Sequence, residues 1–278
     1  MSNYKFVFIS IILAYYIAQL LALAFLPEAV FLRYFSIFQP IIFLVPVYYY
    51  TKENYITISN FNDLSPENTF QFVKEKLKLN FNFKPQIIIF LLWGMVGLLI
   101  ANIGIEIIIS FLMPESLVEF FNRSLDGVYA TQNIITYNKT STINEFLQIC
   151  LFVSLIPAVC EEILFRGYLM QNLLVKNKAK YAVVVSAFLF SLIHANIVGF
   201  VPIFVIGLYL GILVLVTDSI FPSIVFHFLN NLFIIIGTNY GKNATSLILT
   251  SNIILGIVLF CLGVCLMIFT IKKMRSIK

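Results

Sequence analysis

Charge is scarce in this chain. Only 11% of its 278 residues are Asp, Glu, Lys or Arg, against about 25% in an ordinary soluble domain. Histidine is scarcer still: there are two, His194 and His227. The four cysteines, Cys150, Cys160, Cys261 and Cys265, all lie inside apolar runs. That placement excludes a disulfide framework and a CxxC metal site, and it suits small core residues. The net charge of +5 comes from 18 basic and 13 acidic residues that are spread out, so no nucleic-acid-binding patch forms and no nucleic-acid partner is expected. Neither an internal repeat nor a low-complexity segment is present, which excludes fibrous and disordered classes.

What the chain has instead is apolar sequence. Hydrophobic residues make up 60% of it, and the mean hydropathy is +0.96. A membrane-crossing helix needs about 20 mainly apolar residues. About eight stretches qualify: Phe6–Leu26, Phe35–Tyr50, Ile87–Leu112, Phe146–Tyr168, Tyr181–Ile197, Phe200–Val216, Ile220–Ile236 and Leu247–Ile271. The first lacks a small-residue cleavage site and seven more follow it, so it reads as a span and not as a removable signal. Basic residues set the orientation. With the N-terminus inside, 13 of the 18 fall on the inner side and 4 on the outer, leaving Arg166 within a span. The positive-inside rule then places both termini in the cytoplasm. The expectation is an all-α polytopic membrane bundle of about eight transmembrane helices with short interfacial helices. It forms a single domain over residues 1–278, with the polar motifs confined to about 146–236.

Two linkers carry helical patterns of their own. Ser65-Pro66-Glu67 has a helix start's N-cap and first-turn proline. Phe70, Val73 and Leu77 follow on one expected face, with Lys74, Glu75, Lys76 and Lys78 around them. This predicts an interfacial helix on the cytoplasmic surface. After Pro114, Leu117, Phe120, Phe121 and Leu125 repeat at helical spacing and predict a second.

In such a chain the informative residues are polar ones within spans, where an ionisable group costs about 2.5–3.5 kcal/mol or more. The fourth span contains Glu161, Glu162 and Arg166. Glu162 and Arg166 are i,i+4 and can pair. Glu161, turned about 100° away, is left without that partner, which suits a general base. Pro157 removes a backbone hydrogen bond one turn earlier and is expected to kink the helix. The fifth span carries Phe190 and His194. The seventh carries His227 and, one turn on, Asn231. Each group alone fits an ordinary interhelical contact. Together, three helices offer a carboxylate, imidazoles and an amide, the parts needed for attack of water on a carbonyl. The stated boundaries put Glu161 near the inner end of its span and His194 near the outer end of its own, a mismatch in depth. Glu106, in the third span, falls outside this set and has no assigned role.

The order Glu161-Glu162-x-x-x-Arg166, Phe190-x-x-x-His194, His227-x-x-x-Asn231 resembles the CPBP family of CAAX-prenyl-protease-type and bacteriocin-processing membrane proteases, also called the Abi family. The likeness covers about a third of the chain, roughly Phe146–Ile236. It implies an eight-helix membrane bundle with an intramembrane site opening toward the cytoplasm. By motif position it implies Glu161 as the base that activates water, assisted by His194. His227 and Asn231 would stabilise the oxyanion, Glu162 and Arg166 would support the site, and Phe190 would pack beside it. The zinc-peptidase helix motif HExxH is missing, so no cofactor is expected. A zinc site from Glu161, His194 and His227 ranks second. The implied partners are the bilayer and a membrane peptide or lipidated protein; the oligomeric state is open. A chain rich in Phe, Ile, Lys and Asn suits an AT-rich bacterium and its cytoplasmic membrane, where bacteriocin or peptide-pheromone processing fits better than prenylated substrates. A non-catalytic immunity or scaffold protein of the same family is the alternative. A proton-coupled transporter using Glu161, His194 and Glu106 is a remote one, since no inverted repeat is visible.

Overall fold

The structure, a computed structural model, describes residues 4–25, 35–58, 65–81, 83–113, 116–117, 142–194, 196–197, 199–240 and 252–277. Among these the fold is helical, with no strand. The helices are α1 (Tyr4–Phe25), α2 (Gln39–Ile58), α3 (Pro66–Lys76), α4 (Ile87–Leu112), α5 (Ile143–Leu174), α6 (Ala179–Ile193), α7 (Phe200–Thr217), α8 (Phe221–Tyr240) and α9 (Ile253–Ile277). Five helices, α1, α4, α5, α7 and α9, are long and apolar enough to cross a membrane; α6 and α8 contain shorter apolar stretches. With α2 this arrangement is consistent with eight spans. The helix expected after Pro114 falls almost entirely outside the described residues.

The outer surface of the bundle is apolar, unlike that of a soluble protein. Leu20, Phe25, Ile89, Leu92, Trp93 and Ile254 face outward, while Glu162 and Arg166 are completely buried. Apolar outer faces with polar groups turned inward are what a hydrocarbon solvent demands.

The α4 and α9 helices lie against each other along their length. Gly97 and Gly104 on one face Gly263 and Gly256 on the other. A Cβ at Gly263 would sit 2.4 Å from the Ala101 nitrogen and the Gly97 carbonyl oxygen, and one at Gly104 would sit 2.4 Å from the Phe260 nitrogen. Close backbone approach at small residues is how helices gain packing energy when lipid is as apolar as leucine.

The interfacial pattern at 65–77 forms α3. Ser65 caps it, its Oγ accepting from the Asn68 N–H at 3.1 Å, and Pro66 opens the first turn. Its buried face is the expected one at Val73 and Leu77 but not at Phe70. Thr69, Val73 and Leu77 are buried, whereas Phe70 is 63% exposed. Residues 69, 73 and 77 are spaced i,i+4, and Phe70 is rotated about 100° from Thr69. Phe72 instead stacks on Tyr55 of α2.

The α5 helix departs most from expectation. It runs to Leu174, not to Tyr168, and contains two π-wound stretches, Cys150–Leu155 and Ile163–Leu169. The first ends just before Pro157, so the missing N–H falls where wider winding already interrupts the regular ladder. The second begins directly after Glu162.

Two inter-helix turns meet on one face of the bundle. The Ile220 N–H donates to the Lys78 carbonyl at 3.1 Å, and the Asn80 side chain donates to the Asp218 carbonyl at 2.8 Å. Lys78 and Asp218, both left-handed in φ, pair at 2.9 Å. Gly167 packs on the same turn, where a Cβ would lie 3.1 Å from the Leu77 carbonyl oxygen. Glu161 is six residues from Gly167 and His227 is seven from Ile220. At 1.5 Å per residue both therefore sit roughly 10 Å below this face.

The α4–α9 seam gives a stability prediction. Gly104→Val should cost about 1–3 kcal/mol or more by forcing side-chain atoms into the α9 backbone. The midpoint of thermal unfolding of the detergent-solubilised protein measures it, with the exposed Leu92→Val as control.

Candidate functional site

The site begins at Arg166. Its Nη1 donates to Glu162 Oε1 at 2.8 Å, one helical turn back, and its Nη2 donates to the Gly207 carbonyl of α7 at 3.0 Å. The guanidinium carbon lies 4.4 Å from the centre of the Phe190 ring. A buried cation is tolerable only among partners such as these, a carboxylate, a carbonyl and an aromatic face, although its Nε has no hydrogen-bond partner among the described residues.

Glu162 Oε1 has a second donor, His227 Nδ1 of α8, at 3.0 Å. A carboxylate paired to arginine only accepts. The proton therefore sits on Nδ1, and His227 Nε2 is turned the other way, 3.9 Å from Glu161 Oε2.

His194 reaches the same point from the end of α6. The last carbonyls of a helix lack intrahelical donors. Here His194 Nδ1 donates to the Phe190 carbonyl at 2.7 Å, its backbone N–H reaches the Ser191 carbonyl at 3.3 Å, and Tyr16 Oη donates to the Ile193 carbonyl. Capping its own helix fixes the imidazole with Nδ1 protonated and Nε2 outward. That Nε2 is also 3.9 Å from Glu161 Oε2. Phe190 separates and orients the two imidazoles, its ring centre 4.7 Å from that of His194 and 5.6 Å from that of His227.

Glu161 is thus the convergence point. One oxygen faces two imidazole nitrogens, each too far for a direct hydrogen bond and close enough for one small molecule to touch carboxylate and ring together. Its other oxygen, Oε1, accepts from Gln39 Nε2 of α2 at 3.4 Å. The cluster's one guanidinium is committed to Glu162. The two imidazoles differ in access: the His227 side chain is 5% exposed and that of His194 is 32% exposed, so the gap opens on the His194 side.

The structure accordingly brings together Glu161, Glu162, Arg166, Phe190, His194 and His227. Asn231 is half-buried one turn beyond His227 and joins none of the cluster's hydrogen bonds. Glu106 lies on the exposed face of α4, apart from the cluster. The mismatch in depth between Glu161 and His194 disappears because α5 continues to Leu174, which moves Glu161 deeper. Among the described residues, no three His, Cys, Asp or Glu side chains form a group able to hold a metal.

Gln39 and its neighbour Tyr15 were not singled out from sequence. The available signal was modest: Gln39 is the sole side-chain amide in the stretch Phe35–Tyr50.

Compared with known families, residues 143–233 match the one described as type II CAAX prenyl endopeptidase Rce1-like. That is about a third of the chain, and it contains all the motif residues above. No curated protein and no solved structure matches the chain.

The buried pair yields a prediction. Arg166→Met leaves Glu162 buried without its cation and should destabilise the protein by about 3–5 kcal/mol. The double substitution Glu162→Gln with Arg166→Met, which removes both charges, should recover part of that loss in the same thermal unfolding assay.

Proposed function

We propose, for a chain whose residues 143–233 match the family described as type II CAAX prenyl endopeptidase Rce1-like, that it is an intramembrane endopeptidase of the glutamate type. It hydrolyses a peptide bond in a membrane-embedded or lipidated peptide. The observation that carries this reading is Glu161: a buried carboxylate that forms no ion pair with an arginine or lysine among the described residues, one oxygen aimed at two fixed imidazole nitrogens. A purely structural carboxylate in an apolar bundle would be paired, as Glu162 is.

This arrangement supports attack of water on a peptide carbonyl, with the part given to Asn231 resting on its place in the motif. A water molecule between Glu161 Oε2 and His194 Nε2 gives its proton to Glu161 as its oxygen attacks the carbonyl carbon. Negative charge develops on the carbonyl oxygen. His227 meets it by donating from Nε2, which requires a second ring proton; Glu162 at Nδ1 is the carboxylate that supports that charge. The Asn231 amide supplies the other donor. The C–N bond then breaks, and the proton held by Glu161 passes to the leaving nitrogen. The products are a carboxylate and an amine. No step is routed through a metal.

Orientation supports a cytoplasmic reading of the site. The turns around Lys78, Lys176–Lys180 and Asp218 belong to the lysine-rich side, which the positive-inside rule places in the cytoplasm together with both termini. The cluster lies roughly 10 Å below the face on which the Lys78 and Asp218 turns meet, by helix rise. The substrate is then a peptide whose scissile bond reaches that depth, in a bacterial cytoplasmic membrane by composition.

In proteoliposomes containing a hydrophobic reporter peptide, Glu161→Gln should lose about 10²-fold or more in turnover, and Asn231→Ala about 10²-fold. Unchanged turnover in Glu161→Gln contradicts the reading and leaves a non-catalytic scaffold. Chelators should change the wild-type rate by less than about twofold; loss of activity restored by added zinc would replace the metal-free mechanism with a metal-dependent one.

A further inference from the structure

Gln39 lies outside the segment that carries the family match, 122 residues from Glu161 in sequence, and reaches it from α2. Its side chain is almost fully buried, with the residue 3% exposed. Both hydrogens of its amide group are committed. Nε2 donates to Glu161 Oε1 at 3.4 Å and to Tyr15 Oη at 3.3 Å. A carboxylate offers no proton in return, so the amide orientation is fixed by chemistry. That orientation leaves Gln39 Oε1 buried with no hydrogen-bond partner among the described residues. Satisfying its own carbonyl therefore does not explain why an amide stands here; holding Glu161 does.

The consequence for the site is rotational. A glutamate side chain can turn about its last torsion, which is broad. With Oε1 tied to Gln39, Oε2 alone is presented to the two imidazoles. Tyr15 fixes Gln39 in turn and is itself packed on Phe43, ring centres 5.0 Å apart. This gives a chain of contacts from α1 through α2 to the carboxylate on α5.

We propose that Gln39 is a positioning residue for Glu161, setting which carboxylate oxygen faces His194 and His227. The proposal rests on the proteolytic reading for its kinetic consequence and on the Gln39–Glu161 contact for its physical content.

The test uses the full-length purified protein. Gln39→Met keeps the length of the side chain and removes the donor. It should lower kcat by about 10- to 100-fold, as misplacement of a reacting group does, while KM stays within about twofold. Gln39→Asn, which retracts the amide by one methylene, should shift kcat in the same direction. In a Glu161→Gln background, Gln39→Met should change the residual rate by less than about twofold, because the partner it positions is gone. Independently of activity, the infrared carboxylate band of Glu161, identified as the difference between wild type and Glu161→Gln, should move in Gln39→Met.

An unmoved band, an unchanged kcat, or an equal fall of kcat in the Glu161→Gln background would each overturn the proposal. A wild-type protein that cleaves no membrane peptide, combined with a band that does move, upholds the contact and defeats the proteolytic reading instead.

Discussion

A guanidinium held entirely away from solvent inside an apolar bundle dictates the arrangement around it. Arg166 cannot stay there without neutralisation, and the helix supplies it one turn back, at Glu162. Neutralising the charge still leaves other donors to satisfy, of which Nε has no partner among the described residues. The Gly207 carbonyl takes one, and the Phe190 ring covers the face. These requirements draw α5, α6 and α7 to a single point. The second acceptor position of Glu162 Oε1 then draws in α8 through His227.

Once Glu162 is committed, the adjacent carboxylate has a different fate. Glu161 lies about 100° around the same helix and forms no ion pair with a guanidinium or ammonium among the described residues. Its neighbours are an amide and two imidazole nitrogens, each imidazole held by a bond from its own Nδ1. Consecutive residues of one type thus acquire opposite characters: one is a structural anion, the other a carboxylate poised beside a gap. The anchoring bonds at Nδ1 are as informative as the gap itself. They come from a helix's unmet terminal carbonyl in one case and from the ion pair in the other. The reactive geometry is a by-product of satisfying buried polar groups, which in a hydrocarbon setting cannot be left to water.

What could be read from sequence follows from range. The pairing of Glu162 with Arg166 is an i,i+4 relation, and the helix cap at Ser65 is an i,i+3 relation; both are local and were legible. The meeting of Glu161 with His194 and His227 was legible as a set of unusual residues, not as a geometry. Depth estimates even argued against it, because the polar run Arg166, Gln171, Asn172 disguised the continuation of α5 to Leu174. Phe70 was assigned to the wrong face because the neighbour against which α3 packs cannot be seen in its own periodicity. Gln39 was invisible for the opposite reason: a single amide near the start of an apolar run has no pattern, and its meaning exists only across 122 residues.

Under the proposed mechanism Glu161 activates water and forms no covalent bond with the substrate. A single turnover in water enriched in oxygen-18, with the protein in excess over a cleavable membrane peptide, tests it directly. One oxygen-18 atom is expected in the new carboxylate in that first turnover. An unlabelled carboxylate, whose oxygen came from Glu161 through an acyl intermediate, would contradict it.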